Sequence, residues 1–247
     1  MLIHNLGSGS AGNATVVAQD GRAILIDAGL GIGRMKAGLE GLNLEAVLIT
    51  HVHSDHISGL SMIHKRFDVP AWFDAANLAA AKRKGFLEGR AEVFDGKFRV
   101  GPFQITPFPL PHPGYGPWNS FGFRIECGRR RLAYATDLGC VPPEALDALS
   151  DAHVVFLESN HDREMELTSD RDPDHIDWVL SDDGHLSNDQ CAEALGQIGR
   201  PHTVILGHLS QECNEPGIAL RCAARALRGQ VRVLATSQQV ATCPVTI

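Results

Sequence analysis

One stretch, VLITHVHSDHISGL over residues 47–60, constrains this chain more than any other. Val47, Leu48 and Ile49 form an apolar run that reads as a buried strand. His51, His53, Asp55 and His56 follow within six residues. Side chains alternate along extended backbone, so His51 and His53 share one side and both imidazoles can reach one ion. Asp55 and His56 arrive as the chain turns towards a helix, where they can face a second ion. Imidazole with carboxylate suits zinc, iron or manganese. A single histidine beside an apolar run is ordinary packing, but four such groups directly after a strand are a ligand pattern.

The same arrangement of apolar run followed by a polar residue recurs. His112 follows ITPFPLP, Asp137 follows RLAYAT, and His208 follows TVILG. Asp27 closes AILI in the same way. A carboxylate there is expected to brace the site by hydrogen bonds rather than to bind metal.

Strand character covers residues 2–6, 14–18, 23–27, 46–50, 103–108, 121–127, 131–136, 153–158 and 203–206. Helical spacing covers 33–41, 57–67, 75–85, 188–198 and 218–227. The early strands read as hairpins and the later ones alternate with helices. That order predicts an α/β chain with sheets sandwiched between outer helices. At 247 residues one domain spanning 1–247 is expected. No apolar run reaches the length of a membrane span and no charged-then-apolar leader opens the sequence, so a cytoplasmic protein is the expectation. The six cysteines form no C-x-x-C pair and read as reduced packing residues. The net charge of −7 argues against tight nonspecific grip of a long nucleic acid, though not against an enzyme that meets a few phosphates through metal. The compact basic runs are Gly128–Arg131, read as a solvated hairpin tip, and Lys82–Lys84. Trp72, Trp118 and Trp178 are too scattered to read as a stacking platform.

GSGSAG at residues 7–12, with Asp27 twenty residues beyond Gly7, matches the spacing of a dinucleotide-binding fingerprint. The context fails. Those glycines must open a helix, and here they lead into the β-favouring run Asn13–Ala18. A Gly-rich hairpin turn is the reading. Ser8, Ser10 and Asn13 on that turn are candidate contacts for a substrate phosphate if the turn reaches the metals.

Taken in order, Asp27, HVHSDH, His112, Asp137 and His208 resemble the metallo-β-lactamase fold superfamily nearly end to end. SGSAGN, LIDAGLG, YATDLG, LESNHD, GHLSN and GHLSQECNEP resemble its YycJ/WalJ-like branch of metal-dependent hydrolases. The resemblance implies a four-layer αββα sandwich with two divalent ions at one edge. It implies His51, His53 and His112 on one metal, Asp55, His56 and His208 on the other, and Asp137 bridging them. It also implies phosphodiester cleavage, including nuclease activity. In this branch Asp often follows the His112 position; here Pro113 follows, so the rim of the site differs, which bears on the substrate more than on the metals.

Two adjacent cations lower the pKa of a shared water and clamp a phosphoryl oxygen, so the expected nucleophile is a metal-bridging hydroxide oriented by Asp55. His185 in GHLSN is the candidate acid for the leaving oxygen, with His161 in SNHD beside it as a candidate acid or substrate contact. Ser187 is placed to cap the helix near Asn188 and so to offer its N-terminus to a phosphate. His4, His64, His153, His175 and His202 read as ordinary surface or core residues. The leading expectation is a phosphodiesterase, in particular a nuclease on DNA or RNA. The alternatives are a small cyclic or nucleotide phosphodiesterase, an acyl hydrolase of lactones, thioesters or lactams, and a non-catalytic metal-binding regulator. A redox di-iron role is disfavoured because those relatives carry Glu where His53 stands.

Overall fold

The computed structural model describes residues 1–112 and 119–247. Pro113 and Trp118, singled out above, lie outside the described residues.

The first sheet takes β1 (Leu2–Gly7), β2 (Ala14–Gln19), β3 (Arg22–Ile26), β4 (Asn43–Leu48), β5 (Ala71–Phe73) and β6 (Ala91–Val93). The second takes β7 (Phe98–Val100), β8 (Phe103–Leu110), β9 (Ser120–Cys127), β10 (Arg130–Ala135), β11 (Val154–Glu158), β12 (Thr203–Gly207) and β13 (Arg232–Ala235). The last strand, β14 (Val245–Thr246), returns to the edge of the first sheet beside β1. Among the described residues each sheet has seven strands, ordered β14-β1-β2-β3-β4-β5-β6 and β13-β12-β11-β10-β9-β8-β7. Each begins with antiparallel pairs and becomes parallel, at β3–β6 and at β10–β13.

Side-chain alternation builds three cores. Val17, Ile24 and Leu48 face Ile125, Tyr134 and Phe156 between the sheets. Val16, Leu25 and Val47 point outwards against Met35 of α1 (Ile32–Gly38) and Ile63 of α3 (Leu60–Phe67). Ala133, Val155 and Leu206 face Leu149 of α5 (Pro143–Leu149), Leu195 of α8 (Asn188–Gln197) and Ala223 of α9 (Pro216–Ala226). The layers run helix, sheet, sheet, helix, the four-layer αββα sandwich that the resemblance implied. Strands buried on both faces read as continuous apolar runs, which is why most were legible.

Several short elements were not. β5, β6, β7, β13 and β14 have two to four residues each, too few to show a period. The helices α5, α6 (Arg163–Leu167) and α7 (Pro173–Val179) have five to seven residues. Each starts from local chemistry that periodicity does not detect: Pro near the start in α5 and α7, and an Asp162 or Asp172 cap in α6 and α7. The helix expected over 57–67 begins only at Leu60 as α3, and Ser58 and Gly59 part it from a short preceding helix, α2 (Ser54–Ile57). There Gly59 N–H donates to Ala28 O at 2.7 Å.

That bond belongs to a backbone braid which fixes the ligand loop. Asn13 N–H donates to Asp55 O at 2.7 Å, Ala28 N–H to His56 O at 2.8 Å, and Gly29 N–H to Asn13 O at 2.9 Å. The GSGSAG turn thus joins β1 to β2, as read from the sequence, and its end is stitched to HVHSDH. The braid is so close that a Cβ on Gly29 would fall 1.6 Å from the Asp55 carbonyl oxygen. Gly29→Ala is therefore expected to destabilise the fold by at least about 1–3 kcal/mol. That corresponds to a fall in Tm of roughly 3–10 °C for a chain of this length. Metal content should fall with it, because Asp55 must move. An unchanged melt with full metal content would contradict the braid.

Candidate metal centre

The site lies where parallel strands of both sheets end. Asp27 follows β3, Thr50 and His51 follow β4, Asp137 follows β10, Glu158 ends β11 and His208 follows β12. His112 follows β8, and His53 is the N-cap position of α2.

Two trios expected from the sequence come together. Ring nitrogens of His51, His53 and His112 lie within 4.8 Å of one another, and so do nitrogen and oxygen atoms of Asp55, His56 and His208. Asp137 sits between them. It places Oδ2 3.3 Å from His56 Nε2 and Oδ1 3.3 Å from His208 Nε2, and it forms a third close group with His51 and His56. Asp55 Oδ2 approaches His56 Nε2 at 3.3 Å and His208 Nε2 at 3.6 Å. Asp137 Oδ2 and His208 Nε2 are sealed from solvent without an aligned hydrogen-bond partner. Buried polar atoms left in that state are costly. A divalent cation would satisfy both, so the donor set fits metal.

The charges divide along the same line. Burial pushes His51 well below the ordinary imidazole range, with charged His56 adding to the effect. Burial and the nearby His112 bring His53 down to about 4, and burial also lowers His112. This trio is neutral, the form that ligates metal. Burial acts against charge on His56 and His208 too, but carboxylates outweigh it. Asp137, Asp55 and Asp27 hold His56 well above the usual range, and Asp137, Asp55 and Glu158 do the same for His208. Burial would raise Asp137, yet His208 and His56 hold it well below the usual carboxylate range.

Asp27 stands where bracing was expected. It is wholly buried, its Oδ2 lies 2.8 Å from His56 Nδ1, and its Oδ1 accepts from Thr50 N–H at 2.9 Å. Held on Nδ1, His56 turns Nε2 to the metal side. His112 is oriented likewise by Gly184 O, 2.9 Å from its Nδ1.

Glu158, within LESNHD, is a site residue with no role expected from the sequence. It is wholly buried. Its Oε1 lies 3.1 Å from His208 Nδ1 and 2.8 Å from His185 Nδ1, and its Oε2 accepts from Leu138 N–H at 2.9 Å. His185 and His208 hold it down at about 2 against the effect of burial. The signal existed: VVFLE is an apolar strand ending in a carboxylate, the pattern that marked Asp27 and Asp137.

The candidate substrate residues separate. Ser10 is exposed and lines the cavity over the site, as does His185. Ser8 and Asn13 are buried and act inwards instead. Ser8 Oγ accepts from His208 N–H at 2.9 Å, and Asn13 Nδ2 lies 3.2 Å from Asp55 Oδ2 and 3.0 Å from His56 Nε2. Ser187 caps α8 in a capping box with Gln190 and is 4% exposed, away from the cavity wall. His161 is fully buried, pairs through its backbone with Ser187, and is not on the cavity wall either. A direct substrate contact does not fit either position. His175 and Trp178, read above as ordinary or too scattered, line the cavity with Arg171.

A family profile described as "Beta-lactamase superfamily domain" matches residues 22–209. The chain belongs to the β-lactamase superfamily. It is similar to an exodeoxyribonuclease YycJ of Bacillus anthracis, 30% identical over 233 residues covering 87% of this chain and 84% of the relative. It is similar also to an exodeoxyribonuclease WalJ of Streptococcus pneumoniae serotype 2, 30% identical with 85% and 81% covered. The crystal structure of the metallo-β-lactamase fold protein YhfI from Bacillus subtilis superposes with a TM-score of 0.76 at 17% identity, over 98% of each chain. As a member of this superfamily the chain is a metal-dependent hydrolase, and its His/Asp cluster is able to bind divalent ions.

Two outcomes follow. Glu158→Gln removes the charge behind His185 and His208 at nearly constant volume, so metal affinity measured by chelator competition should fall about 10–100-fold while the fold persists. An unchanged affinity would contradict the bracing role. Second, a cation must displace the protons that the carboxylates hold on His56 and His208, so binding releases protons and affinity rises with pH. Calorimetry in buffers of different ionisation enthalpy should show that release. A metal affinity flat between about pH 6 and 8 would contradict it.

Proposed function

We propose that this chain is a two-metal phosphodiesterase that cleaves nucleic acid. The observation that carries the reading is the convergence of both ligand trios on Asp137 at the base of an open cavity of about 220 Å³. Arg171 and His185 stand on its wall. Support comes also from the exodeoxyribonuclease names of relatives matched along most of their length.

In this reading His51, His53 and His112 hold one ion, Asp55, His56 and His208 hold the other, and Asp137 is shared. Zinc, manganese or iron suits that set. Two bound divalent ions would acidify a water as nucleophile and offset charge on the phosphoryl oxygens. The protein's own groups do the rest. Asp55, anchored through its backbone to Asn13 and 20% exposed at its side chain, reaches the cavity and orients the attacking water. Glu158 holds His185 by Nδ1, leaving Nε2 to deliver a proton to the leaving oxygen. Arg171 is fixed in place by Glu166 at 3.0 Å and Glu212 at 2.9 Å, so it adds a preorganised positive group at the phosphate side. Ser10 adds an exposed hydroxyl to the cavity lining.

The test is cleavage of end-labelled single- and double-stranded DNA and RNA by manganese- or zinc-loaded protein. Wild type should cleave. Asp55→Ala should lose at least about a thousandfold in turnover, the several kcal/mol that a catalytic metal contributes. Its circular dichroism and cooperative melt should persist. No cleavage of any polymer would overturn the nuclease reading and direct assays to small cyclic diesters, then to lactones and thioesters.

A further inference from the structure

We propose that α7 gives this cavity a stacking wall for a nucleobase, with Trp178 as the platform and His175 beside it. This rests on the phosphodiesterase reading and adds to it the part of the substrate that the metals do not touch.

His175, Trp178 and Val179 are spaced i, i+3 and i+4, so they share one face of α7. All three line the cavity. The acidic residues Asp172, Asp174 and Asp177 are exposed and absent from its wall. A short, largely exposed, acidic helix thus turns its one aromatic and apolar face towards a cavity otherwise dominated by carboxylates, imidazoles and hydroxyls. Solubility gives no reason for that placement. Half-buried Trp72 packs on the core between the sheets, whereas half-buried Trp178 stands at the cavity.

Its neighbours fix the distance to the chemistry. The Trp178 ring centre lies 5.3 Å from that of His185 and 5.7 Å from that of His112, the acid candidate and a metal-ligand candidate. The planes meet at 87° and 54°, and His175 sits 5.8 Å away at 37°. Among the described residues none of its ring contacts is a parallel stack, which leaves the indole stacking capacity. A group bound on it would lie beside His112 and His185, within one nucleotide component of the residues that would hold the metals. The ligand that fits is flat, uncharged and π-rich, attached to a phosphate that reaches Arg171 and the metal side. A nucleobase meets those terms.

Every base has a π face, so stacking is tolerant of sequence. The segment PDHIDWV offers no amide side chain to read base edges. The wall therefore favours the presence of a base over its absence and discriminates little among the four bases.

The experiment compares deoxynucleoside 5′-monophosphates with deoxyribose 5-phosphate on the full chain. Binding is read by tryptophan fluorescence quenching and by calorimetry. Cleavage is read on oligonucleotides whose terminal residue is either base-bearing or abasic. Wild type should bind the mononucleotides about tenfold more tightly than the sugar phosphate, with a spread of no more than about threefold among bases. Trp178→Leu should remove that preference and raise KM only for base-bearing substrates. Trp178→Phe should keep most of it, which also guards against a variant that merely misfolds. If Trp178 only props His185, Trp178→Leu lowers kcat equally for base-bearing and abasic substrates and leaves the binding preference intact; that result overturns the proposal. Equal binding of mononucleotide and sugar phosphate by wild type overturns it too. Polymer cleavage without base preference would sink the wall and spare the nuclease reading. Base preference without polymer cleavage would do the reverse.

Discussion

Buried carboxylates facing imidazoles are the constraint on which the rest of this structure depends. Asp27, Asp137 and Glu158 are 0%, 2% and 0% exposed. A carboxylate out of water is tolerated only with a cation or several donors beside it. Asp27 and Glu158 find theirs in His56, Thr50, His185, His208 and the Leu138 amide. Asp137 finds His56 and His208, but one of its oxygens still lacks an aligned donor. The outer carboxylates therefore orient the histidines, and the inner ones, Asp137 and Asp55, concentrate negative charge where divalent cations fit. Removing one outer carboxylate loosens the rings that face inwards, so bracing and binding are one network.

The backbone shows the same priority. Asp27, Asp137 and His208 have φ values of 60°, 62° and 55°, a left-handed conformation that non-glycine residues seldom adopt. All three stand within two residues of a strand end, where a sharp turn redirects the side chain from the sheet into the site. Glycine would relieve the strain but forfeit the brace at Asp27 and the candidate metal ligands at Asp137 and His208. Strain of this kind persists where surrounding structure over-determines it, as the strand ladders and the braid through Asn13, Ala28 and Gly29 do here.

The sandwich was legible because its central strands are apolar on both faces and its longer helices show a clear period. The candidate ligands were legible because the fold repeats one device, an apolar run followed by a polar residue; their grouping about two ions was implied by the family resemblance. Other features were hidden for physical reasons. Glu158 uses the same device, but it acts through His185 and His208, and that relation exists only once β11 and β12 lie side by side. Ser8 and Asn13 were placed correctly on a Gly-rich turn, but its approach to the HVHSDH loop and the direction of their side chains follow from the braid, which no local pattern encodes. The cavity wall was the least legible part. α7 has seven residues, and its facing towards the site depends on packing between segments far apart in sequence. His175 and Trp178 acquire meaning only from that packing.

The proposed chemistry joins these layers. Strand ends bring neutral imidazoles and charged His–carboxylate pairs into adjacent positions, outer carboxylates fix the rings, and Arg171, His185 and Trp178 line the open cavity of about 220 Å³ above them. The central claim is that two ions share Asp137. Anomalous scattering from crystals of manganese- or zinc-loaded protein tests it most directly. The account predicts two peaks per chain, one among His51, His53 and His112 and one among Asp55, His56 and His208, with Asp137 touching both. A single peak, or a second peak at any other group of residues, would contradict it.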